Sequence, residues 1–471
     1  MIDLHAVDVL VILLYFLAVV TIGYRAGKRA SGASDDYLLA GRTLTLPMFV
    51  ATLVSTWYGG ILGVGEFSYR YGLSNWFVFG APYYIFATLF ALFLARRIRS
   101  TNLATIPDKL ENAYDRKTAL LGSVLTFILI TPAAYVLMLG ILIQLLFGFD
   151  LATSVILTTI VTIWYLYAGG FRSDVWVNAF EFVMMFLGFA MMLFFAVSRF
   201  GGFDFISENV PDLHLTWHGG NTLQYIAVWF FIALWTLVDP AFHQRCYAAK
   251  DGPTARRGIF VSILFWFCFD FLTTATGLYA RAALPPLEQP MFSYPLFAEA
   301  TLPMIAKGLF YVGLLATIMS SLSSLMFISA TTVGNDIAGR LSRAADRAFV
   351  IQKWSKRGLT IGGCVAVGLA LLVPSVVSLW YTIGTTIIPG LLVPVVASYF
   401  ERLRISSGFA FAAMLAGPLV SAGSLIYGVL NRVDGESGYW WGIEPMMPGL
   451  AASIVVWAIG RYRHGRRQTL S

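Results

Sequence analysis

Hydrophobic positions in this chain do not alternate with polar ones at a strand or amphipathic-helix period. They run on, in stretches of about 18 to 25 residues separated by short polar segments. A stretch of that length crosses roughly 30 Å of hydrocarbon as an α-helix, the one open structure that satisfies its backbone hydrogen bonds internally. The pattern therefore predicts an all-α integral membrane protein of about 13 transmembrane helices. They fall at approximately 6–24, 47–70, 74–95, 119–147, 151–168, 174–198, 222–242, 259–280, 305–336, 359–377, 379–400, 408–430 and 441–459. The first stretch reads as a span and not a cleaved leader: it is long, begins with Asp3 and Asp8, and carries its basic cluster after the apolar run.

Composition agrees. Of 471 residues, 58% are hydrophobic and 12% charged, about half the charge that a soluble surface carries, so soluble and disordered classes are excluded. The longest polar segments are about twenty residues, too short for a soluble domain, and no phosphate-binding loop occurs. A sensor kinase and an ATP-driven pump therefore drop out. The net charge of +7 is not a nucleic-acid signal. Segments after odd-numbered spans hold 27 Lys and Arg and the opposite side five, which places the N-terminus outside and the C-terminus in the cytoplasm of a multi-pass cell-membrane protein. Cys246, Cys268 and Cys364 are odd in number and far apart, hence free thiols. His5, His214, His218, His243 and His464 sit in predicted loops or span ends without ligand spacing. No catalytic constellation is visible, and the chain does not read as an enzyme.

Function must then lie where polar groups and helix breakers interrupt the spans. In span two, Thr52, Ser55 and Thr56 lead into Trp57-Tyr58-Gly59-Gly60 and then Gly63 and Gly65. A helix broken there frees carbonyls that persist at bilayer depth only facing protein, water or an ion; the alternative is close packing through Gly59-xxx-Gly63. Span nine carries Thr317 and Met319-Ser320-Ser321-Leu322-Ser323-Ser324. At 100° per residue the four serines cover an arc of roughly 160°. Hydroxyl and carbonyl oxygens suit a hard monovalent cation, while the plainer reading is small-residue packing.

Asp270 lies amid Phe265 to Phe271 with no Lys or Arg within a turn, so it faces substrate, a proton or a hydroxyl, or is a hydrogen-bonded structural group. Glu66 and Arg70 read as a rim ion pair. Glu181 and Asn178 lie one to two turns into span six. In span seven, Trp229, Phe230, Phe231 and Trp235 precede Asp239-Pro240, where the proline kinks or ends the helix; these aromatics floor a substrate site or face lipid.

With these residues the chain resembles the sodium/solute symporter family, whose members have an inverted-repeat fold like that of the bacterial leucine transporter. The resemblance rests on Ser55-Thr56-Trp57-Tyr58-Gly59-Gly60 through Gly63 and on Gly169-Gly170-Phe171. It rests also on Pro240 with Gln244-Arg245 and Ala248-Ala249-Lys250, and on Ala316 to Asp336. It implies two inverted five-helix repeats, spans 2–6 and 7–11, each beginning with a discontinuous helix. The chain then divides into 1–46 (first helix and cytoplasmic loop), 47–199 (repeat one), 200–221 (external loop), 222–400 (repeat two) and 401–471 (two helices and a short basic cytoplasmic tail).

The resemblance further implies a sodium site of backbone carbonyls at Leu53, Thr56 and Thr317 with hydroxyls of Ser320 and Ser321. Members with a second sodium use serines matching Ser323 and Ser324 and an aspartate at a position that reads Asn178 here. One coupled sodium is therefore expected, unless Glu181 or Asp174 substitutes. Positions that hold sugar in sugar-carrying members read Gly60, Ile232 and Trp266, and the inner-gate tyrosine reads Trp235; the span-seven tryptophan of proline-carrying members also falls at Ile232. The expected solute is a compact metabolite, amino acid or carboxylate favoured over sugar, held among Trp57, Tyr58, Tyr135, Trp229 and Trp235. The expected function is sodium-coupled uptake by alternating access, with sodium the only metal and no other cofactor. A proton-coupled carrier using Asp270 or Glu181, and an uncoupled facilitator, are the rivals. Lipid, sodium and the solute are the expected partners, and nucleic acid is not.

Overall fold

The computed structural model describes residues 2–28, 34–343, 346–432 and 438–468. Part of the first basic loop (29–33, with Arg29) and the end of the basic tail (469–471) lie outside the described residues. In chain order the long helices are α1 (Ala6–Gly27), α2 (Leu46–Tyr71), α3 (Trp76–Phe93), α4 (Arg116–Phe147), α5 (Leu151–Tyr167), α6 (Gly169–Phe200), α7 (Leu223–Ala248), α8 (Gly252–Ala283), α9 (Ala306–Gly339), α10 (Arg347–Leu372), α11 (Ser378–Ser398), α12 (Ser407–Leu430) and α13 (Met446–Gln468). Eleven of them are long and apolar enough to cross a membrane; α5 is a shorter apolar helix, and α13 stands apart from the eleven. Several helices extend beyond the hydropathic stretches. α8 begins at Gly252 and not near 259, because its first turns carry Arg256 and Arg257, which hydropathy excludes but a helix end accommodates. The polar connections also hold short helices that the pattern does not announce, Ile106–Ala113, Phe203–Asn209 and Ser293–Thr301.

Both expected helix breaks are present. α2 divides into α2a (Leu46–Trp57) and α2b (Ile61–Tyr71) around a 3-10 turn at Tyr58–Gly60. Close approach requires the glycine: a Cβ on Gly59 would stand 2.3 Å from Ser321 Cβ and Oγ. α7 divides into α7a (Leu223–Ile232) and α7b (Pro240–Ala248), with a 3-10 stretch over Ala233–Val238 and Asp239 extended between them. The break thus starts several residues before the proline that marks it in the sequence. At the start of α6 the chain turns at Gly170 (φ 56°, ψ −141°), a positive-φ conformation natural only to glycine; a Cβ there would meet Tyr37 at 2.7 Å.

α9 is the centre of the assembly, with 94% of its most apolar window buried against 28% for α1. It packs on α1, α2, α4, α6 and α10 and touches the α2 break directly. α8 lies along α2 and α3, and α11 reaches the 3-10 stretch of α7. Leu10, Leu13, Leu17, Trp164, Phe194 and Leu264 project outward, as lipid contact requires of large apolar side chains. The Glu66–Arg70 pair forms at 3.1 Å on a partly exposed face.

Candidate ion and substrate site

The serines of α9 meet the α2 break. Ser320 Oγ lies 2.8 Å from the Ser55 carbonyl oxygen and 3.0 Å from that of Thr317, and the Ser321 hydroxyl donates to the Thr56 carbonyl. All five residues are buried. Leu53 is buried in the same wall of α2a, while the α2a carbonyl that meets Ser320 is that of Ser55, a position absent from the expected set. The arrangement is a knot of hydroxyl and carbonyl oxygens between two helices, one of them interrupted.

One turn further along α9, Ser323 and Ser324 turn to α6. Ser323 donates to Asp174 Oδ1 at 2.8 Å and Ser324 to Asp174 Oδ2 at 2.9 Å, while Asn178 Nδ2 donates to Ser324 Oγ at 2.9 Å. The Arg245 guanidinium of α7b enters the same group, 3.4 Å from Asp174 Oδ2, 2.7 Å from Ser324 Oγ and 2.9 Å from Thr56 Oγ1. Neither side chain of the ion pair has any exposure. Burying two charges is costly unless the remaining lone pairs and protons are satisfied, and two serine hydroxyls do that for the carboxylate. Glu181 does not join this group: its Oε1 accepts from Tyr15 of α1 at 2.9 Å, and its Oε2 has no partner.

Beside the α2 break lies a cavity of about 180 Å³. Trp57, Tyr58, Gly60, Tyr135, Trp229, Trp235 and Asp270 all border it. Tyr84 of α3 donates its hydroxyl to Asp270 Oδ2, and Tyr58 donates to the Trp266 carbonyl at 3.1 Å. Phe230 and Phe231 do not border the cavity; Phe231 is 41% exposed on the outer surface, the alternative that the sequence left open. Sequence reasoning missed the α11 pair Trp380-Tyr381, Tyr83 of α3, and Asp239 as a lining carboxylate. The Trp-Tyr dipeptide beside a predicted span end resembles Trp57-Tyr58 in span two, a signal that was there to be read. Asp336, in the α9 segment that carries the resemblance, lies away from this cavity and pairs with Arg340 at 3.0 Å, in a cluster with Asp108 and Glu111. His243, assigned to a span end, is buried inside α7b, with Nε2 3.1 Å from the Leu237 carbonyl. Among the described residues no cluster of His, Cys, Asp and Glu is suited to a metal ion, and the three thiols are unpaired.

Two interrupted helices facing a cavity, with a polar knot behind one break, are the arrangement in which membrane carriers hold ion and solute. Residues 37–417 match the pattern of the sodium:solute symporter family. The chain belongs to that family, whose members are transporters and not enzymes. It is 24% identical over 406 residues to a high-affinity choline transporter of Drosophila melanogaster, covering 80% of this chain and 64% of that one. It is 24% identical to an osmoregulated proline transporter of Bacillus subtilis (94% and 93% covered) and 25% identical to a sodium/proline symporter of Staphylococcus aureus (95% and 91%). Among solved structures it resembles a Na+-coupled sialic acid symporter in a substrate-bound outward-open state, with TM-score 0.79, 16% identity, and 97% and 98% of the two chains covered. A nucleobase-cation-symport-1 family transporter matches with TM-score 0.62 at 12% identity, covering 91% and 94%.

Proposed function

We propose that this protein is a sodium-coupled symporter that imports a small organic solute by alternating access. The observation that carries the proposal is the convergence of the Ser320 and Ser321 hydroxyls on carbonyls of the α2 break. A hydroxyl that donates to a carbonyl can turn its lone pair to a cation placed between them, so the same oxygens become ligands. Sodium held by carbonyls of Leu53, Thr56 and Thr317 and by the two hydroxyls would tie α2 to α9 and complete the adjoining solute cavity. In this reading α5 and α13 also cross the bilayer, making thirteen spans with the N-terminus outside, and α2–α6 and α7–α11 are the inverted repeats.

One sodium per cycle is proposed. The group at Ser323, Ser324 and Asn178 already holds a cation, the guanidinium of Arg245, neutralised by Asp174. A second sodium would have to displace a tethered charge. One sodium entering down about 100 mV contributes roughly 2.3 kcal/mol, and a tenfold gradient about 1.4 more, together enough for several hundred-fold accumulation of a neutral solute.

The test is the melting temperature of the purified protein in NaCl against KCl at matched ionic strength. Stabilisation specific to sodium, lost in the Ser320→Ala/Ser321→Ala double variant, is expected. Equal melting in both salts, with stability that follows pH, would transfer the coupling to a proton at Asp270 or Glu181.

A further inference from the structure

We propose that the solute is a compact organic cation, a methylated or protonated amine, and not a carboxylate. This inference rests on the reading of the cavity as the solute site of a sodium-coupled carrier. Its walls are aromatic faces and edges contributed by five helices, among them Trp57, Tyr83, Tyr135, Trp229, Trp235 and Trp380. The ionisable groups that border it are tyrosines and two carboxyl groups, Asp239 and Asp270, with no Lys, Arg or His among the lining residues. A third carboxylate stands one bond behind the wall, where Glu444 Oε1 accepts from the lining Thr385 at 2.7 Å. The buried cation Arg245 lies behind Thr56 and is matched by Asp174. Aromatic cages with nearby negative charge are the recognised chemistry for quaternary ammonium groups.

The usual anchor for a carboxylate at such a site is a free helix N-terminus. Here that place is taken. At the start of α7b, Pro240 has no N–H, Ala241 and Phe242 donate to Asp239 Oδ1 at 2.7 and 3.3 Å, and His243 donates to the Asp239 carbonyl at 3.2 Å. At the other break the 3-10 turn Tyr58–Gly60 leads directly into α2b at Ile61, with no extended residue between them. A substrate carboxylate would therefore enter beside two carboxyl groups, with no cationic side chain among the lining residues to meet it.

The experiment is calorimetric binding to the purified full-length protein in saturating NaCl, with three probes: choline, the uncharged alcohol in which a quaternary carbon replaces choline's nitrogen, and propionate. Choline is expected to bind at least roughly tenfold tighter than its neutral isostere, and propionate not at all. In Asp270→Asn the preference for choline over the isostere should shrink several-fold. If that variant gives no cooperative melt, Trp229→Leu should weaken choline more than the isostere. Equal binding of choline and isostere, tighter binding of propionate, or no binding of choline by a protein that sodium stabilises would each overturn the inference. Choline binding by a protein indifferent to sodium would sink the coupling and leave the cation site standing.

Discussion

Replacing Gly59 by alanine separates an ion site from a packing contact. The added Cβ would lie 2.3 Å from Ser321 Cβ and Oγ and 2.4 Å from the Tyr135 ring, where ordinary contact begins near 3.4 Å. α2 and α9 must therefore part by about 1 Å at the point where Ser321 meets the Thr56 carbonyl. Overpacking of this kind costs about 1–3 kcal/mol of stability. A displacement of that size also withdraws one charge-assisted contact from a bound cation, about 1.5–3 kcal/mol, which is roughly a ten- to hundredfold loss of sodium affinity. Gly63→Ala is the control, because its Cβ meets nothing closer than Trp380 at 3.5 Å. The assay is melting temperature against NaCl concentration in constant total salt. Gly59→Ala should shift the half-maximal sodium concentration upward by that factor and Gly63→Ala should not. A Gly59→Ala protein that melts earlier yet keeps the wild-type sodium midpoint would refute the reasoning and leave Gly59 as a packing residue.

Other perturbations follow from the same geometry. Asp174→Asn and Arg245→Gln should each cost about 3–5 kcal/mol, because each strands a buried charge, while the double variant should cost clearly less than the two together; additive losses in a double-mutant cycle would show that the pair is uncoupled. Asn178→Asp adds a second carboxylate beside Ser324, next to Asp174, but leaves Arg245 in place, so the sodium response should keep a Hill coefficient near one, and a value approaching two would contradict the single-ion reading. His214, in the connection between α6 and α7, has its pKa lowered by burial. Its neutral form is thus favoured by folding, so its contribution to stability is present above about pH 6.5 and declines as the pH falls below that value. A melting temperature that drops between pH 7.5 and 5, with a shallower drop in His214→Gln, is expected; identical slopes would remove the histidine from the account. Gly170→Ala should lower stability by more than about 1 kcal/mol, since it combines positive φ with a 2.7 Å approach to Tyr37.

Local features carried most of the fold. Apolar runs announced the helices, and Tyr58-Gly59-Gly60 and Asp239-Pro240 announced the two breaks, because hydropathy and the backbone limits of glycine and proline are properties of a few adjacent residues. The serine face of α9 was legible as a polar surface, yet its division into two groups was not. Ser320 and Ser321 turn to α2 while Ser323 and Ser324 turn to Asp174, and that division depends on which helix lies against each part of the face. The partners of the buried charges were hidden for the same reason: Arg245 is 71 residues from Asp174, and Tyr84 is 186 from Asp270. Asp239 was visible as a helix-break residue, but its carboxylate's hold on the α7b N–H groups, which turns the solute reading away from carboxylates, needed coordinates.

The central claim is a sodium site between α2 and α9, and saturation binding of radioactive sodium to the purified protein tests it most directly. About one sodium per chain should bind, be displaced by unlabelled NaCl but not by KCl, and be lost in the Ser320→Ala/Ser321→Ala variant. Absence of saturable binding, equal displacement by potassium, or full retention in the double variant would contradict the account.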